Sequence, residues 1–230
     1  MLILGVDTSN IFLSFAIERD GALIFTYSEK VPMRHSEVMF LRLRELMHQL
    51  DIEFSSLDRI GVSIGPGMFT GLRVGLALAK GIAYSHSIPV VPVNTLDALA
   101  HPYLSLYRTV IPITDARRGL LYAAVYQDGG RDSDYLLVTP EGLKDLIPEG
   151  ALLLGDGLIR YPELVKEGVV IPDPNPIHPE AKTICHLARI GEPVSIDTLE
   201  PFYLKKSDAE IDHPEGDETR GPGTGPRDRK

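Results

Sequence analysis

Leu2-Ile3-Leu4-Gly5-Val6-Asp7-Thr8-Ser9-Asn10 opens the chain. The apolar run has the length of a buried strand, and Asp7 to Asn10 are turn residues that end it. Ile11 to Glu18 reads as a second strand, Asp20-Gly21 as a hairpin turn, and Ala22 to Ser28 as a third strand. The plan returns 108 residues later, at Ile111-Pro112-Ile113-Thr114-Asp115 and Leu120 to Gln127. With that shift Asp7 falls on Asp115, Phe12 on Leu120, Ile17 on Val125, and Asp20-Gly21 on Asp128-Gly129. The repeat predicts an α/β protein of two related halves, each opening with an Asp-bearing β-turn-β unit.

Outward from the first unit, residues 35–50 switch to helical period. Met39, Leu43, Leu46 and Leu50 form one stripe, Ser36 is a plausible cap, and Val38, Leu41 and Met47 widen the stripe beyond one face. Asp58 to Ile64 reads as a strand broken by Gly65-Pro66-Gly67, followed by a helix over 69–86 and a short strand from Ile88 to Val93. The first half is thus β-β-β-α-β-α-β, and Asn94 to His101 opens a further helix. The second half is less regular: a strand from Ala151 to Leu154 closed by Gly155-Asp156-Gly157, and a loop over 171–179 with four prolines. A short helix from Ala181 to Ile190 and a last strand from Phe202 to Lys205 complete it. This divides the chain into an N-terminal lobe at 1–106, a C-terminal lobe at 107–211, and a tail at 212–230. Seven of the tail's 19 residues are Gly or Pro and most others are charged, too little apolar surface to fold, so disorder is expected.

Composition bounds the function. Among 230 residues, 23 Lys and Arg face 32 Asp and Glu, a net charge of −9. With a pI near 5.2, a large basic nucleic-acid patch is not expected, although contact with RNA inside a complex is compatible. The single cysteine, Cys185, excludes an intrachain disulfide and a thiolate metal cluster. No signal-peptide pattern and no run approaching the ~20 apolar residues of a membrane span appear. The expectation is a cytoplasmic protein without membrane contact.

The strongest local motif is Gly65-Pro66-Gly67-Met68-Phe69-Thr70-Gly71-Leu72-Arg73-Val74-Gly75. A Gly-rich turn entering a helix offers backbone amides to an anion. No Lys-Ser/Thr follows the last glycine, so it is not a Walker A loop, and Gly65, Gly67 and Gly71 are spaced one residue too far for the dinucleotide fingerprint. The plainer reading is a tight strand-to-helix turn. Asp7 and Asp115 could hold Mg²⁺ beside phosphates or simply bond their own backbone turns. Asp7, Thr8, Ser9, Gly65, Gly67 and Asp115 are therefore the candidate phosphate or nucleotide residues. Gly71, Gly75, Ala79 and Ala83 recur every four residues, a face that lets another backbone approach closely, in this chain or in a partner. No two of the seven histidines are spaced i, i+4, and no Gly-x-Ser-x-Gly elbow appears. A hydrolase nucleophile is thus not identifiable.

Ile3 to Ser9, the Gly65–Gly75 run, Pro92-Val93-Asn94 and Pro201-Phe202-Tyr203-Leu204 together resemble the TsaB (YeaZ) family, over about residues 1–206. The resemblance implies an actin/Hsp70/sugar-kinase-like fold with two lobes of mixed sheets flanked by helices. It implies a role in forming N6-threonylcarbamoyladenosine in tRNAs that read codons starting with A. TsaD, a paralogue, carries out the transfer; the family binds TsaD, is joined by the ATPase TsaE, meets tRNA through the complex, and self-associates as a homodimer when alone. TsaD carries a metal-binding His-x-x-x-His after a Val-Asn pair. Here Thr95 and Leu99 stand at those positions, and neither replaces an imidazole.

The expectation is therefore a non-catalytic scaffold subunit, a pseudoenzyme with no catalytic residues, metal or cofactor of its own; ATP or ADP and a metal belong to the partner subunits. Family members pair with TsaD through their first two helices, here about 35–50 and 69–86. The expected interface is Met39, Leu43, Leu46, Gly71, Leu72, Gly75, Leu76 and Ala79. A large residue at Gly75 is expected to abolish partner binding while leaving the monomer folded. The rival readings are an ATP-dependent kinase-like ATPase of the same fold, with Asp7 and Asp115 essential, and, last, a peptidase.

Overall fold

The computed structural model describes residues 1–31 and 34–205; the tail expected at 212–230 lies outside the described residues. β1 (Leu2–Asp7) is buried from end to end, as a strand must be when both faces of its sheet are covered. It pairs antiparallel with β2 (Phe12–Arg19), which pairs antiparallel with β3 (Ala22–Lys30). The turn between β2 and β3 is the predicted Asp20-Gly21, with φ of 53° and 85°, as a two-residue hairpin requires. α1 (His35–Gln49) follows, then β4 (Arg59–Gly65) parallel to β1, α2 (Phe69–His86) and β5 (Val90–Asn94) parallel to β4. The strand order is β3-β2-β1-β4-β5.

Met39, Leu43, Leu46 and Met47 of α1 and Leu76, Ala79 and Ile82 of α2 pack on one face of this sheet with Leu4, Val6, Leu13, Phe15 and Val62. Ser36 does not cap α1. Arg34 holds the N-cap position without a side-chain bond to the helix amides, and Ser36 lies exposed inside the first turn. α3 (Thr95–Ala100) is capped as its sequence suggests, Asn94 Oδ1 accepting the Leu96 N–H at 2.9 Å.

The second sheet is built on β6 (Thr109–Arg117), β7 (Leu120–Ala123), β8 (Tyr126–Gln127), β9 (Gly130–Arg131) and β10 (Leu136–Val138). α4 (Pro140–Lys144) follows, β11 (Leu152–Leu154) pairs parallel with β6, and α5 (Gly157–Arg160) comes after it. Order β10-β7-β6-β8-β9 with β11 beside β6 repeats the antiparallel-then-parallel plan of the first sheet. Asp128-Gly129 turns with φ of 49° and 87°, matching Asp20-Gly21. β4 ends in Gly65 at φ 115°, and Gly155, directly after β11, has φ 113°, a third landmark of the repeat. The copy diverges at its first hairpin. Asp115 sits at a bulge inside β6, and Arg117, Arg118 and Gly119 turn the chain with φ of 64°, 53° and 78°.

α6 (Ala181–Ile190) lies within residues 107–211, yet it covers the outer face of the first sheet against β1, β2, β4 and β5. Two glycines make that possible. Gly5 and Gly61 are register partners in β1 and β4. A Cβ on Gly5 would stand 2.7 Å from Cys185 Sγ, and one on Gly61 2.6 Å from the Ala188 Cβ. Arg59 then donates to the Ala188 and Gly191 carbonyls at 3.0 and 2.9 Å, satisfying the C-terminal end of α6. No strand forms at Phe202–Lys205. The segment makes one ladder-like bond, Phe202 N–H to Ile64 O at 2.8 Å, and its side chains pack locally, Phe202 on Tyr135, Tyr203 on Phe69 and Leu204 against the core under the second sheet.

Gly61→Ala should destabilise the fold by about 1–3 kcal/mol in urea unfolding, because a methyl group there has no room to relax. Gly81, with nothing within 4 Å of its would-be Cβ, is the internal control. Gly81→Ala should stabilise α2 by up to about 1 kcal/mol. Equal responses at the two positions would contradict the tight docking of α6.

Candidate functional site

The ends of β1 and β6 face each other across a cleft of about 480 Å³. Ser9 follows β1, Thr95 opens α3, and Thr114 lies on β6. All three line the cleft, and each hydroxyl oxygen is buried with no hydrogen-bond partner. Buried polar atoms are ordinarily paired, so three orphans in one place mark a cavity that suits a polar guest. Ile11, Phe12, Met68, Ile159 and Ile177 supply an apolar wall, and Lys30, Arg117 and Arg160 bring positive charge.

The candidate phosphate residues separate into two groups. Ser9, Gly67 and Asp115 come together at the cleft. Asp7, Thr8 and Gly65 are buried behind it. Asp7 Oδ1 accepts the Ser9 N–H at 3.2 Å while Oδ2 has no partner, and burial pushes this carboxyl above the usual carboxylate range. Thr8 donates its hydroxyl to Gly71 O at 2.9 Å, so it braces α2. The Met68 N–H, at the mouth of α2, donates to Ser9 O at 2.6 Å, which occupies one of the amides an anion would use.

Asp115 and Asp156 form the acidic floor. Asp156 Oδ1 accepts the Asp115 N–H at 3.0 Å. Asp115 Oδ1 accepts the Arg117 N–H at 2.8 Å, and the Arg117 and Arg160 guanidinium groups both stand 3.9 Å from its Oδ2. Burial pushes the Asp156 carboxyl up to about 6; the Asp115 charge adds to the rise and Arg117 opposes it.

The expected partner interface needs correction. Met39, Leu43, Leu46, Gly71, Leu72, Gly75, Leu76 and Ala79 are all buried in the chain's own core. The glycine stripe is consumed internally. Added Cβ atoms at Gly71 and Gly75 would fall inside the contact shell of Thr8 O and Thr8 Oγ1. A large residue at Gly75 would therefore displace α2 from β1, so the variant cannot leave the monomer undisturbed. The apolar side chains these helices expose are Phe40 (53%), Leu41 (43%) and Tyr84 (79%).

At the two positions where the resemblance sets metal-binding histidines, Thr95 and Leu99 are both buried, Leu99 in the core under the second sheet. Neither a threonine at a helix N-terminus nor a leucine offers a strong ligand. Among the described residues no three His, Cys, Asp or Glu are grouped to hold a metal ion. Cys185 is fully buried, its thiol pushed up by burial and contacting the Ala16 carbonyl at 3.4 Å, which makes it a packing residue without nucleophilic character. Among the described residues no helix is long and apolar enough to cross a membrane.

Several residues of these surfaces escape a reading by motif. Thr114 and Asp156 belong to the second copy of the repeat; Thr114 was legible only as the residue before Asp115, and Asp156 only through the Gly155-Asp156-Gly157 break. Leu41 left a trace in the over-wide apolar stripe of α1, whereas Phe40 on α1 and Tyr84 on α2 left none. Phe69, Arg73 and Tyr203 meet only in the fold. The Phe69 and Tyr203 rings stack at 4.9 Å, and Arg73 lies 3.8 Å over Phe69 while donating to Tyr203 Oη at 2.9 Å.

Comparison with known proteins follows the same lines. Residues 28–140 match the family model for TsaD, tRNA N6-adenosine threonylcarbamoyltransferase. The tRNA threonylcarbamoyladenosine biosynthesis protein TsaB of Bacillus subtilis is 28% identical, over 91% of this chain and 96% of its own length. TsaB of Escherichia coli is 27% identical, over 90% of this chain and 96% of its own. The structure of YeaZ from Pseudomonas aeruginosa superposes with a TM-score of 0.76 at 25% identity, covering 88% of this chain and 99% of that one. The resemblance to TsaB (YeaZ) is thus shown along most of the chain, and the architecture is the actin/Hsp70/sugar-kinase-like fold.

The Asp156 carboxyl gives a pH signature. Its folded pKa of about 6 lies above the ordinary 3.8, so the native state binds the extra proton between these values. Stability from this group is complete below pH 3.8 and is lost as pH rises through about 6. Asp156→Asn keeps the acceptor for the Asp115 N–H and removes the titration. The variant's advantage in unfolding midpoint over the native chain should grow from pH 4 to pH 7. A constant difference would show that Asp156 is not desolvated.

Proposed function

From its likeness to the TsaB (YeaZ) family, we propose that this chain is a non-catalytic subunit of the machinery that forms N6-threonylcarbamoyladenosine in tRNA. It binds a TsaD-like paralogue through the outer side of α1 and α2, works with a TsaE-like ATPase, and meets tRNA within that assembly. Alone, it pairs with a second copy through the same side. ATP or ADP and a metal belong to the partner subunits, and the assembly works in the cytoplasm.

The observation that carries the reading is the exposure of Phe40, Leu41 and Tyr84 on helices whose other sides are already packed. A partner that covered these large apolar side chains would remove their area from water. The TsaD match at 28–140 spans both helices, so a paralogue would offer an equivalent pair. Thr95 and Leu99 in place of two imidazoles argue against an intrinsic metal centre, and buried Cys185 argues against a thiol peptidase. The kinase-like ATPase remains the rival that a specific observation favours, namely the orphan hydroxyls of Ser9, Thr95 and Thr114 in the cleft. Steady turnover of Mg-ATP by the isolated chain would select it.

Phe40→Glu and Tyr84→Glu alter exposed positions, so each should leave unfolding stability within about 0.5 kcal/mol. Together they should weaken association with the paralogue from the same cell by more than about tenfold, or 1.4 kcal/mol, in titration calorimetry. Retained affinity in a folded double variant would remove the outer side of α1 and α2 from the interface.

A further inference from the structure

We infer that the face running from the cleft past the N-terminal end of α2 is an RNA-contacting track belonging to this chain itself. The inference rests on the reading that the chain works in tRNA modification, and it goes beyond a role confined to holding the paralogue.

Charge is the first support. The cleft and the hollow of about 220 Å³ beside it are contiguous, sharing Gly67, Met68, Asp115 and Arg117. Along this path stand four cations, Lys30, Arg160, Arg117 and Lys205, with Arg73 over the Phe69 ring at its α2 end, against two carboxylates, Asp115 and Asp156. The chain as a whole carries −9, so this excess of positive charge is local and opposite in sign to the rest. A positive strip on an acidic protein orients a polyanion toward one face and repels it from the others.

Aromatic geometry is the second support, and it separates nucleic acid from other polyanions. The stacked Phe69 and Tyr203 rings, with the Arg73 guanidinium over Phe69, line the hollow at the α2 end of the strip. Tyr203 is 40% exposed. Lys205, two residues on, donates its ammonium to Ala116 O at 3.1 Å, which holds the end of the described chain against β6 and keeps the ammonium beside the rings. Accessible rings flanked by cations provide stacking for unpaired bases and charge for the intervening phosphates. An acidic polypeptide would use the cations and leave the rings idle. This position is also where the local picture departs from the composition, whose acidity gave no expectation of a basic patch.

The test is fluorescence anisotropy of a labelled, unmodified tRNA transcript with the full chain, alone and mixed with the TsaD-like paralogue, across a salt series. Native chain should bind with a log–log salt slope of about −2, that of roughly three phosphates. Arg73→Glu with Lys205→Glu should weaken binding at least tenfold. The matched reversal of remote exposed lysines, Lys144→Glu with Lys166→Glu, should change it less than twofold. Tyr203→Ala should weaken binding about five- to tenfold without changing the slope, the mark of a lost stack. Light-scattering mass on the same samples reports paralogue association separately, so failure of the heterodimer reading is distinguishable from failure of this one. The inference is overturned by equal losses in the two charge reversals, or by absence of binding at tens of micromolar with and without the paralogue. It is also overturned if polyglutamate displaces the tRNA as readily as unlabelled RNA does, or if Arg73→Glu with Lys205→Glu abolishes the paralogue contact, which would assign the face to protein.

Discussion

The seat of α2 on the end of β1 is the contact on which the rest of this molecule depends. Thr8 is fully buried, its hydroxyl is bonded to the Gly71 carbonyl, and neither Gly71 nor Gly75 has room for a Cβ beside it. Three glycines in one helix weaken it, and here the loss is offset by a backbone approach that a larger side chain would forbid. Because α2 sits this low, Ser9 reaches the Met68 amide, the Gly65–Gly67 turn closes over β1, and the mouth of the cleft takes its shape. The same contact uses up the small-residue stripe, so any partner must read the opposite side of the helix, where Tyr84 stands out.

A second close approach works from the far face of the sheet. Gly5 and Gly61, paired across β1 and β4, form a trough for α6, and Arg59 ties down the helix end. A segment late in the chain thereby covers the earliest strands, and the residues after it run back along α2 to Lys205 at β6. The chain thus passes from the first sheet to the second after β5, returns with α6, and comes back to β6 at Lys205.

Much of this was legible in the residues. Alternation and turn chemistry located the β-β-β-α-β-α-β half, and the offset of 108 found the repeat because Asp-Gly turns require positive φ and keep their residue types. What was not legible was direction. A stripe of Gly and Ala at helical spacing says that something comes close, and periodicity alone cannot tell a neighbouring strand from a neighbouring protein. Thr8, eight residues from the start of the chain, was the neighbour. The second sheet was harder because its strands are short and its first hairpin is tightened by a bulge at Asp115. Phe202–Lys205 reads as a strand by composition, yet its side chains are taken up by Tyr135, Phe69 and the core under the second sheet. Net charge concealed the cationic strip because a sum over 230 residues carries no positions.

The central claim is that the protein completes itself by pairing the outer side of α1 and α2 with a paralogue. Light-scattering mass on a sizing column, for this chain alone and mixed with the TsaD-like protein of the same cell, addresses it most directly. The account predicts a homodimer alone that gives way to a 1:1 species on mixing. Two independent monomers that pass each other unchanged at tens of micromolar would contradict it.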